Sequence, residues 1–134
     1  MVMQGGMAFY ESDGALAQYL WLHYSTEAEA LRSGSLFEFA RDFPSRCVSD
    51  LIAPYSHKTG RALDLGCAVG RASFDLSREM DEVVGIDSSA LFIATATRVQ
   101  RGEAVDYSLP IEGDLKEHFV ATAPNGAAPG KNSF

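Results

Sequence analysis

The sequence predicts an α/β fold in which strands and helices alternate along the chain. Two short apolar runs, Arg61–Leu65 and Glu82–Ile86, have the composition of buried strands, and each is followed by a helical pattern. A third run, Ala104–Ile111, has the same character, although Pro110 interrupts it. The order β-α-β-α-β is typical of parallel strands joined by right-handed crossovers.

The size and charge of the chain narrow the classes of protein to consider. It has 134 residues, which suits one small domain, and a formal net charge of -7. Such a charge repels phosphate backbones, so we expect no nucleic-acid partner. No apolar stretch approaches the roughly 20 residues of a membrane helix, and Met1–Met7 lacks the features of a secretory signal. We therefore expect no membrane partner and a cytoplasmic location.

Helical patterns precede the first strand. Asp13 is a candidate cap for a helix from Ala15 to Tyr24. A second helix could start at Pro44 and end before Pro54. Each predicted helix has one apolar face, formed by Leu16, Tyr19, Leu20, His23 and Tyr24 in the first and by Cys47, Val48, Leu51 and Ile52 in the second.

Helical patterns also follow the first two strands. The first helix is predicted over Arg71–Met80, and the second runs from a cap at Ser88 or Ser89 to about Gln100. Their predicted inner faces consist of Ala72, Leu76 and Met80 in the first and of Phe92, Ala96 and Val99 in the second.

We divide the chain into three segments on composition. Residues 1–9 are expected to be disordered, and residues 10–120 to form a partial ligand-binding domain. Residues 121–134 contain two prolines and two glycines and are expected to be a flexible tail.

Three carboxylates lie at or near the ends of the predicted strands. Asp64 lies within the first strand and just before a small-residue loop, Asp87 follows the second strand, and Asp114 follows the third. Ligands of open parallel sheets bind beyond the carboxyl ends of the strands. These carboxylates, with a glycine-containing turn among them, indicate a nucleotide pocket.

The spacing of small residues in the loop discriminates between nucleotides. The loop places Gly66, Ala68 and Gly70 at alternate positions, and Arg71 occupies the position of the third glycine of a dinucleotide fingerprint. A carboxylate just before the loop suits a ligand with a cationic end better than a pyrophosphate. S-adenosylmethionine, with its ammonium and sulfonium groups, is such a ligand.

Several segments together are similar to one enzyme family. "ALDLGCAVGR" and "DEVVGIDSS" resemble motifs I and II of class I methyltransferases, which have a Rossmann-like fold. With "YESDGALAQYLWLHYS", "FPSRC" and "EGDL", they resemble the 4-mercaptohistidine N1-methyltransferase domain at the C-terminal end of ovothiol synthases. The resemblance covers Tyr10 to about Leu115. It implies transfer of a methyl group from S-adenosyl-L-methionine to an imidazole nitrogen of a thiol-histidine.

The resemblance also implies roles for particular residues. Asp64 would hold the methionine ammonium, Asp87 the two ribose hydroxyls, and Asp114 the adenine amine. The backbone of the loop would approach the methionine moiety. The implied cofactor-binding set is Asp64, Gly66, Cys67, Ala68, Gly70, Asp87, Ser88 and Asp114, and the implied substrate-facing set is Tyr19, His23 and Tyr24.

Each of these assignments has a plainer alternative. The loop could be an ordinary strand-to-helix turn, Asp87 a helix cap, and Asp114 a turn residue. The face that carries Tyr19 could be simple helix packing, and Cys67 a small loop residue without nucleophilic activation. The cysteines and histidines show no metal spacing, so no metal site is predicted.

The family pattern also extends beyond the strands recognised here. A complete domain has further strands, one of which meets the acceptor, so we expect this chain to represent the N-terminal half of the fold. No catalytic residue and no oligomeric state can be assigned. A cofactor-binding protein without catalysis and a nicotinamide-dependent oxidoreductase are the alternative functions, the second disfavoured by the glycine spacing.

Overall fold

The computed structural model describes residues 8–29, 40–52, 54 and 59–134. The protein is a mixed α/β structure with a small parallel sheet and helices. Within the described residues the main elements are α1 (Asp13–Tyr24), α2 (Phe43–Arg46, continued by a π-helical turn over Cys47–Ile52), β1 (Arg61–Leu65), α3 (Arg71–Leu76), β2 (Glu82–Ile86), α4 (Ala90–Gln100), β3 (Val105–Glu112), β4 (Leu115–Ala121), a 3₁₀ turn (Pro129–Lys131) and β5 (Asn132–Ser133).

The first two predicted strands form the parallel sheet. β1 pairs with β2 in parallel, and the register runs from Arg61 opposite Glu82 to Leu65 opposite Ile86. The strands therefore end side by side. β5 adds a third, short parallel strand on the other edge of β2, with Asn132 opposite Val83.

The third predicted strand is not part of this sheet, which corrects the expected β-α-β-α-β order. β3 forms an antiparallel hairpin with β4, with Val105 opposite Ala121 and an irregularity between Pro110 and Glu112. Gly113, with a φ of 56°, lies in the turn that reverses the chain. A parallel partner would need a crossover of a dozen or more residues, and this turn leaves no room for one.

The segment expected to be a flexible tail is packed in the structure. Asn132 is buried and donates from Nδ2 to the carbonyl of Ser73 at 2.8 Å. The Phe134 ring makes an edge contact with Phe74, with 5.4 Å between the ring centroids. Composition did not reveal these long-range contacts. At the other end, residues 1–7 lie outside the described part of the chain, and residues 8–10 form a helical turn.

Helix α1 begins earlier than predicted because Ser12, not Asp13, is its cap. The Ser12 side chain accepts a hydrogen bond from the Ala15 amide at 3.2 Å, and Asp13 lies in the first turn. The predicted face is buried at Leu20, His23 and Tyr24 and half-buried at Leu16 and Tyr19.

The second helix differs from the expected regular helix. Only Phe43–Arg46 is α-helical, and the chain continues as a π-helical turn. The wider turn changes the angular spacing of side chains, so Val48 is buried whereas Ile52 is 37% exposed. The predicted position of the Leu51 side chain lies outside the described residues.

Both helices that follow the strands pack as predicted, although α3 is shorter. Ala72, Leu76 and Met80 pack with Val48 and Val83, and Met80 follows the end of the helix. In α4, which is capped by Ser89, the inner face is buried as the periodicity predicted; it consists of Phe92, Ala96 and Val99.

Burial on both faces of β1 was expected and is not observed. Leu63 and Leu65 are 60% and 70% exposed, and the neighbouring Ile86 on β2 is 48% exposed. Alternate residues, including Asp64, are half-buried on the side of α3. Within the described residues the sheet is therefore covered on one face only, whereas parallel sheets usually have layers on both.

Candidate functional site

The carboxyl ends of β1 and β2 bring the loop after β1 into contact with the end of β2. The carbonyl of Ile86 accepts hydrogen bonds from the amides of Gly66 at 2.8 Å and Cys67 at 3.1 Å. The sheet thereby extends into the loop, and Asp87 follows at the next position. This junction is where open parallel sheets bind ligands.

The three alternating small residues of the loop all have positive φ values. Gly66 has a φ of 79°, Ala68 of 46° and Gly70 of 87°. Left-handed conformations at alternate positions coil the loop tightly, and glycine adopts them without strain. Ala68 is the exception, and its strained conformation is stabilised by a contact with Asp87.

The two glycines of the loop serve different purposes. A Cβ at Gly70 would lie 3.1 Å from atoms of Ala96, Phe134 and Phe74, so close packing requires glycine there. A Cβ at Gly66 would meet no atom within 4 Å. The backbone at Gly66 is therefore open to a ligand.

The carboxylate of Asp87 connects the loop to helix α4. Its Oδ2 accepts from the Ala68 amide at 3.0 Å, and its Oδ1 accepts from the Ser89 amide at 2.9 Å. Asp87 is not the cap of α4, which is Ser89; it binds the backbone amide of that cap residue instead. A carboxylate has about four lone-pair sites, so each oxygen can still accept a second hydrogen bond from a ligand.

Asp64 lies in β1, one residue before the strand ends, and contacts α3. Its Oδ2 accepts from the hydroxyl of Ser73 at 2.6 Å, which fixes the half-buried carboxylate against α3. Burial and the charges of Asp64 and Asp87 raise the pKa of the Cys67 thiol to about 12. The Cys67 thiol is therefore protonated at neutral pH and is a poor nucleophile.

A shallow depression of about 500 Å³ opens at the ends of the two strands. It brings together three predicted cofactor-binding residues, Gly66, Asp87 and Ser88. Leu65 and Ile86 also line it and form its apolar margin. Polar acceptors and free backbone beside apolar surface suit a small ligand that has both a polar and a flat apolar part.

Asp114 is not brought into this group. It lies exposed in the turn between β3 and β4. In the part of the chain that the structure describes, no hydrogen bond or ion pair connects its carboxylate to the loop. Its position is that of a turn residue, which was the plainer alternative.

The three predicted substrate-facing residues of α1, Tyr19, His23 and Tyr24, lie in different surroundings. The Tyr19 ring packs on Phe92, with centroids 4.7 Å apart. The pKa of Tyr19 is raised by burial, by the neighbouring Tyr10 and by the negative charge of Asp87. The buried hydroxyl of Tyr24 donates a hydrogen bond to the carbonyl of Val69 at 2.7 Å and thereby connects α1 to the loop.

His23 is buried between these rings and is neutral. Burial and the positive charge of Arg71 lower its pKa to about 4. Its Nδ1 atom is buried and has no hydrogen-bond partner among the described residues. A neutral imidazole in this place can pack like an aromatic ring but cannot supply a positive charge at pH 7.

Sequence reasoning missed the segment before α1 as part of the site. The Glu11 carboxylate accepts from the amides of Ala90 at 2.8 Å and Leu91 at 3.2 Å. The carbonyl of Tyr10 accepts from the Ser89 hydroxyl at 3.0 Å. Because these partners are about 80 positions apart in sequence, no local pattern could have revealed the contacts.

Arg71 has a structural role that its position in the loop pattern did not suggest. It forms an ion pair with the buried Asp75 at 2.9 Å and donates to the carbonyl of His23 at 3.1 Å. Its guanidinium also lies over the Tyr24 ring, 5.9 Å from the centroid. Arg71 therefore links the start of α3 to the end of α1 and fixes both against the loop.

Within the described ranges, no group of three or more His, Cys, Asp and Glu side chains could hold a metal ion. Of the helices described, none has the length and apolar character needed to cross a membrane. The chain matches no known protein-family model and no curated protein.

Proposed function

We propose that this protein binds S-adenosyl-L-methionine at the carboxyl ends of β1 and β2 and is a class I methyltransferase with a Rossmann-like fold. The observation that carries the proposal is the pairing of an open backbone position at Gly66 with the Asp87 carboxylate across one depression. The family resemblance of the sequence adds the acceptor, an imidazole nitrogen of a 4-mercaptohistidine.

The ligand orientation follows from the charges. Asp87 has free lone pairs for the two ribose hydroxyls, and Ser88 beside it can contact the adenine edge. Asp64 precedes Gly66 by two residues, and its carboxylate suits the ammonium of the methionine moiety. The adenine plane would lie on the apolar margin, to which Ile86 contributes.

A nicotinamide dinucleotide suits the same surface less well. Its pyrophosphate would meet the carboxylates of Asp64 and Asp87 without a positively charged partner at the loop. Arg71 does not supply that partner, because its guanidinium is committed to Asp75 and His23. The third glycine of the dinucleotide fingerprint is also replaced by this arginine.

Transfer of the methyl group requires little acid–base catalysis by the protein. When bound, S-adenosylmethionine would supply a methyl carbon that its sulfonium activates, so that the acceptor nitrogen could form a bond to that carbon while the electron pair of the broken carbon–sulfur bond stayed on sulfur and the acceptor's proton went to water. The contribution expected of this chain is to position the nucleoside and to shield it from water.

Binding without catalysis is the second candidate function. The observation that favours it is the uncovered face of β1, where Leu63 and Leu65 are largely exposed. Positioning of an acceptor requires an enclosed site, and the depression at the strand ends is shallow. A radiolabelled methyl-transfer assay with a thiol-histidine separates the two, since only the first candidate gives turnover.

The binding proposal is tested by calorimetric titration with S-adenosylhomocysteine and with NAD. We expect measurable binding of the first and at least about tenfold weaker binding of the second. Asp87→Asn should weaken S-adenosylhomocysteine binding by about 1.5–3 kcal/mol, the scale of hydrogen bonds to a charged group. The matched control is Asp106→Asn on the hairpin, an exposed position for which we expect no change. Equal affinity for NAD, or unaltered binding by Asp87→Asn, would contradict the proposal.

A further inference from the structure

Two carboxylates hold three consecutive amides at the start of helix α4. Asp87 accepts from the Ser89 amide, and Glu11 accepts from the next two, those of Ala90 at 2.8 Å and Leu91 at 3.2 Å. α4 has 11 residues, so its N-terminus carries a substantial partial positive charge. Free amides at such a terminus are a ready binding site for phosphate.

The Glu11 carboxylate is fixed in this position from both sides. Ser89 donates its hydroxyl to the carbonyl of Tyr10 at 3.0 Å, and the Tyr10 ring packs against Phe92 of the same helix, with centroids 6.0 Å apart. On the other side, Ser12 caps α1. Glu11 is solvent-exposed, and its two neighbours in sequence are both held by hydrogen bonds.

We propose that Glu11 is a specificity-determining residue, an internal anion that takes the place a phosphate would occupy beside the ribose. With Glu11 present, the terminus offers no free amide at these two positions, and a phosphate on the ribose would face the carboxylates of both Glu11 and Asp87. The site then accepts a nucleoside with free ribose hydroxyls and rejects one with a ribose phosphate. This inference rests on the proposed function in placing the ribose at Asp87.

The test compares wild type with Glu11→Ala, Glu11→Gln and the control Asp13→Ala, which removes the same charge from an exposed position in the first turn of α1. The probes are adenosine, adenosine 2′-monophosphate and inorganic phosphate, measured by calorimetry and by thermal shift. In wild type we expect adenosine to bind more tightly than its 2′-phosphate. Glu11→Ala should raise the affinity for the 2′-phosphate relative to adenosine by about tenfold or more, because two amides become available to an anion.

If the role of Glu11 were merely structural, Glu11→Ala would lower the affinities for adenosine and for its 2′-phosphate equally, and their ratio would not change. If Glu11→Ala fails to fold, Glu11→Gln still tests the charge, and the ratio should rise by about threefold, the scale of one exposed charge. Asp13→Ala should leave the ratio at the wild-type value. An unchanged ratio in both Glu11 variants, or an equal rise in Asp13→Ala, would overturn the proposal.

Failure of the proposed function is distinguishable from failure of this inference. If wild type binds no adenosine compound, the proposed function fails. The thermal shift with inorganic phosphate then still tests whether the N-terminus of α4 binds an anion. Phosphate should stabilise Glu11→Ala but not wild type. Absence of that difference would contradict the role of Glu11 as an internal anion.

Discussion

Acidification from pH 7 to pH 5 should destabilise this protein through His23. The imidazole is buried against Tyr19 and Tyr24, with ring centroids 5.9 Å and 6.4 Å away, and the positive charge of Arg71 lies nearby. Protonation in the folded state would place a second positive charge in a buried, aromatic environment. The folded protein therefore resists a proton that the unfolded chain takes up readily.

The magnitude follows from the two pKa values. The pKa of His23 is about 4 in the folded protein against 6.5 for an unperturbed histidine. Because the folded pKa is the lower one, the unfolded state binds more protons between pH 6.5 and pH 4, and stability falls as the pH falls through that window. One pKa unit corresponds to about 1.4 kcal/mol, so His23 should cost about 2 kcal/mol at pH 5 relative to pH 7.

The assay is urea denaturation at pH 7, 6 and 5 for wild type, His23→Phe and His118→Gln. His118 is exposed on β4, so its variant should keep the wild-type pH dependence. His23→Phe should lose about 2 kcal/mol less than wild type between pH 7 and pH 5. Equal losses in wild type and His23→Phe would refute the reasoning.

Further substitutions test how the site and the sheet that carries it are supported. Tyr24→Phe should cost about 1–2 kcal/mol and weaken S-adenosylhomocysteine binding in calorimetry, because the carbonyl of Val69 loses its buried donor. Gly85→Ala should destabilise the protein by about 1–3 kcal/mol in urea, since the new Cβ would lie 2.8 Å from the Phe134 ring. Phe134→Leu should partly rescue the Gly85→Ala variant, and failure of any rescue would show that Phe134 is not the obstacle. Leu65→Ser, at a side chain that is 70% exposed, should change stability by no more than about 0.5 kcal/mol, and a larger loss would mean that the open face is covered in solution.

Local sequence patterns were sufficient for the part of the fold that carries the candidate site. Small residues at alternate positions after a short apolar strand predicted the turn, and the structure shows positive φ values at Gly66, Ala68 and Gly70. The run before Asp87 predicted the second strand, and the structure pairs it with the first. These features are encoded within a few residues of one another, so periodicity and turn chemistry suffice.

Long-range pairing could not be derived in the same way. The run Val105–Glu112 has the composition of a strand, but composition does not say whether its partner is parallel or antiparallel. The antiparallel pairing of β3 is set by the short turn at Gly113 and by the burial of Phe119 and Ala121 at alternate positions of β4. The assignment of Asp114 to the site assumed that β3 joins the parallel sheet. Because β3 pairs with β4 instead, Asp114 lies in the hairpin turn.

Contacts between distant segments were equally invisible in the sequence. Glu11 and Asn132 are ordinary polar residues in their local context. Glu11 becomes important only because the fold brings it to amides at the start of α4, and Asn132 because the fold brings it to the carbonyl of Ser73 in α3. Small and polar segments such as the C-terminal one can therefore pack as firmly as apolar ones.

The central claim is that a nucleoside ligand binds where β1 and β2 end. Its most direct test is a titration of the ¹⁵N-labelled protein with S-adenosylhomocysteine, followed by amide chemical shifts. We predict shifts concentrated at Gly66, Ala68 and Ser88, and little change at Gly113 in the hairpin turn. Shifts centred on the hairpin, or none at saturating ligand, would contradict the claim.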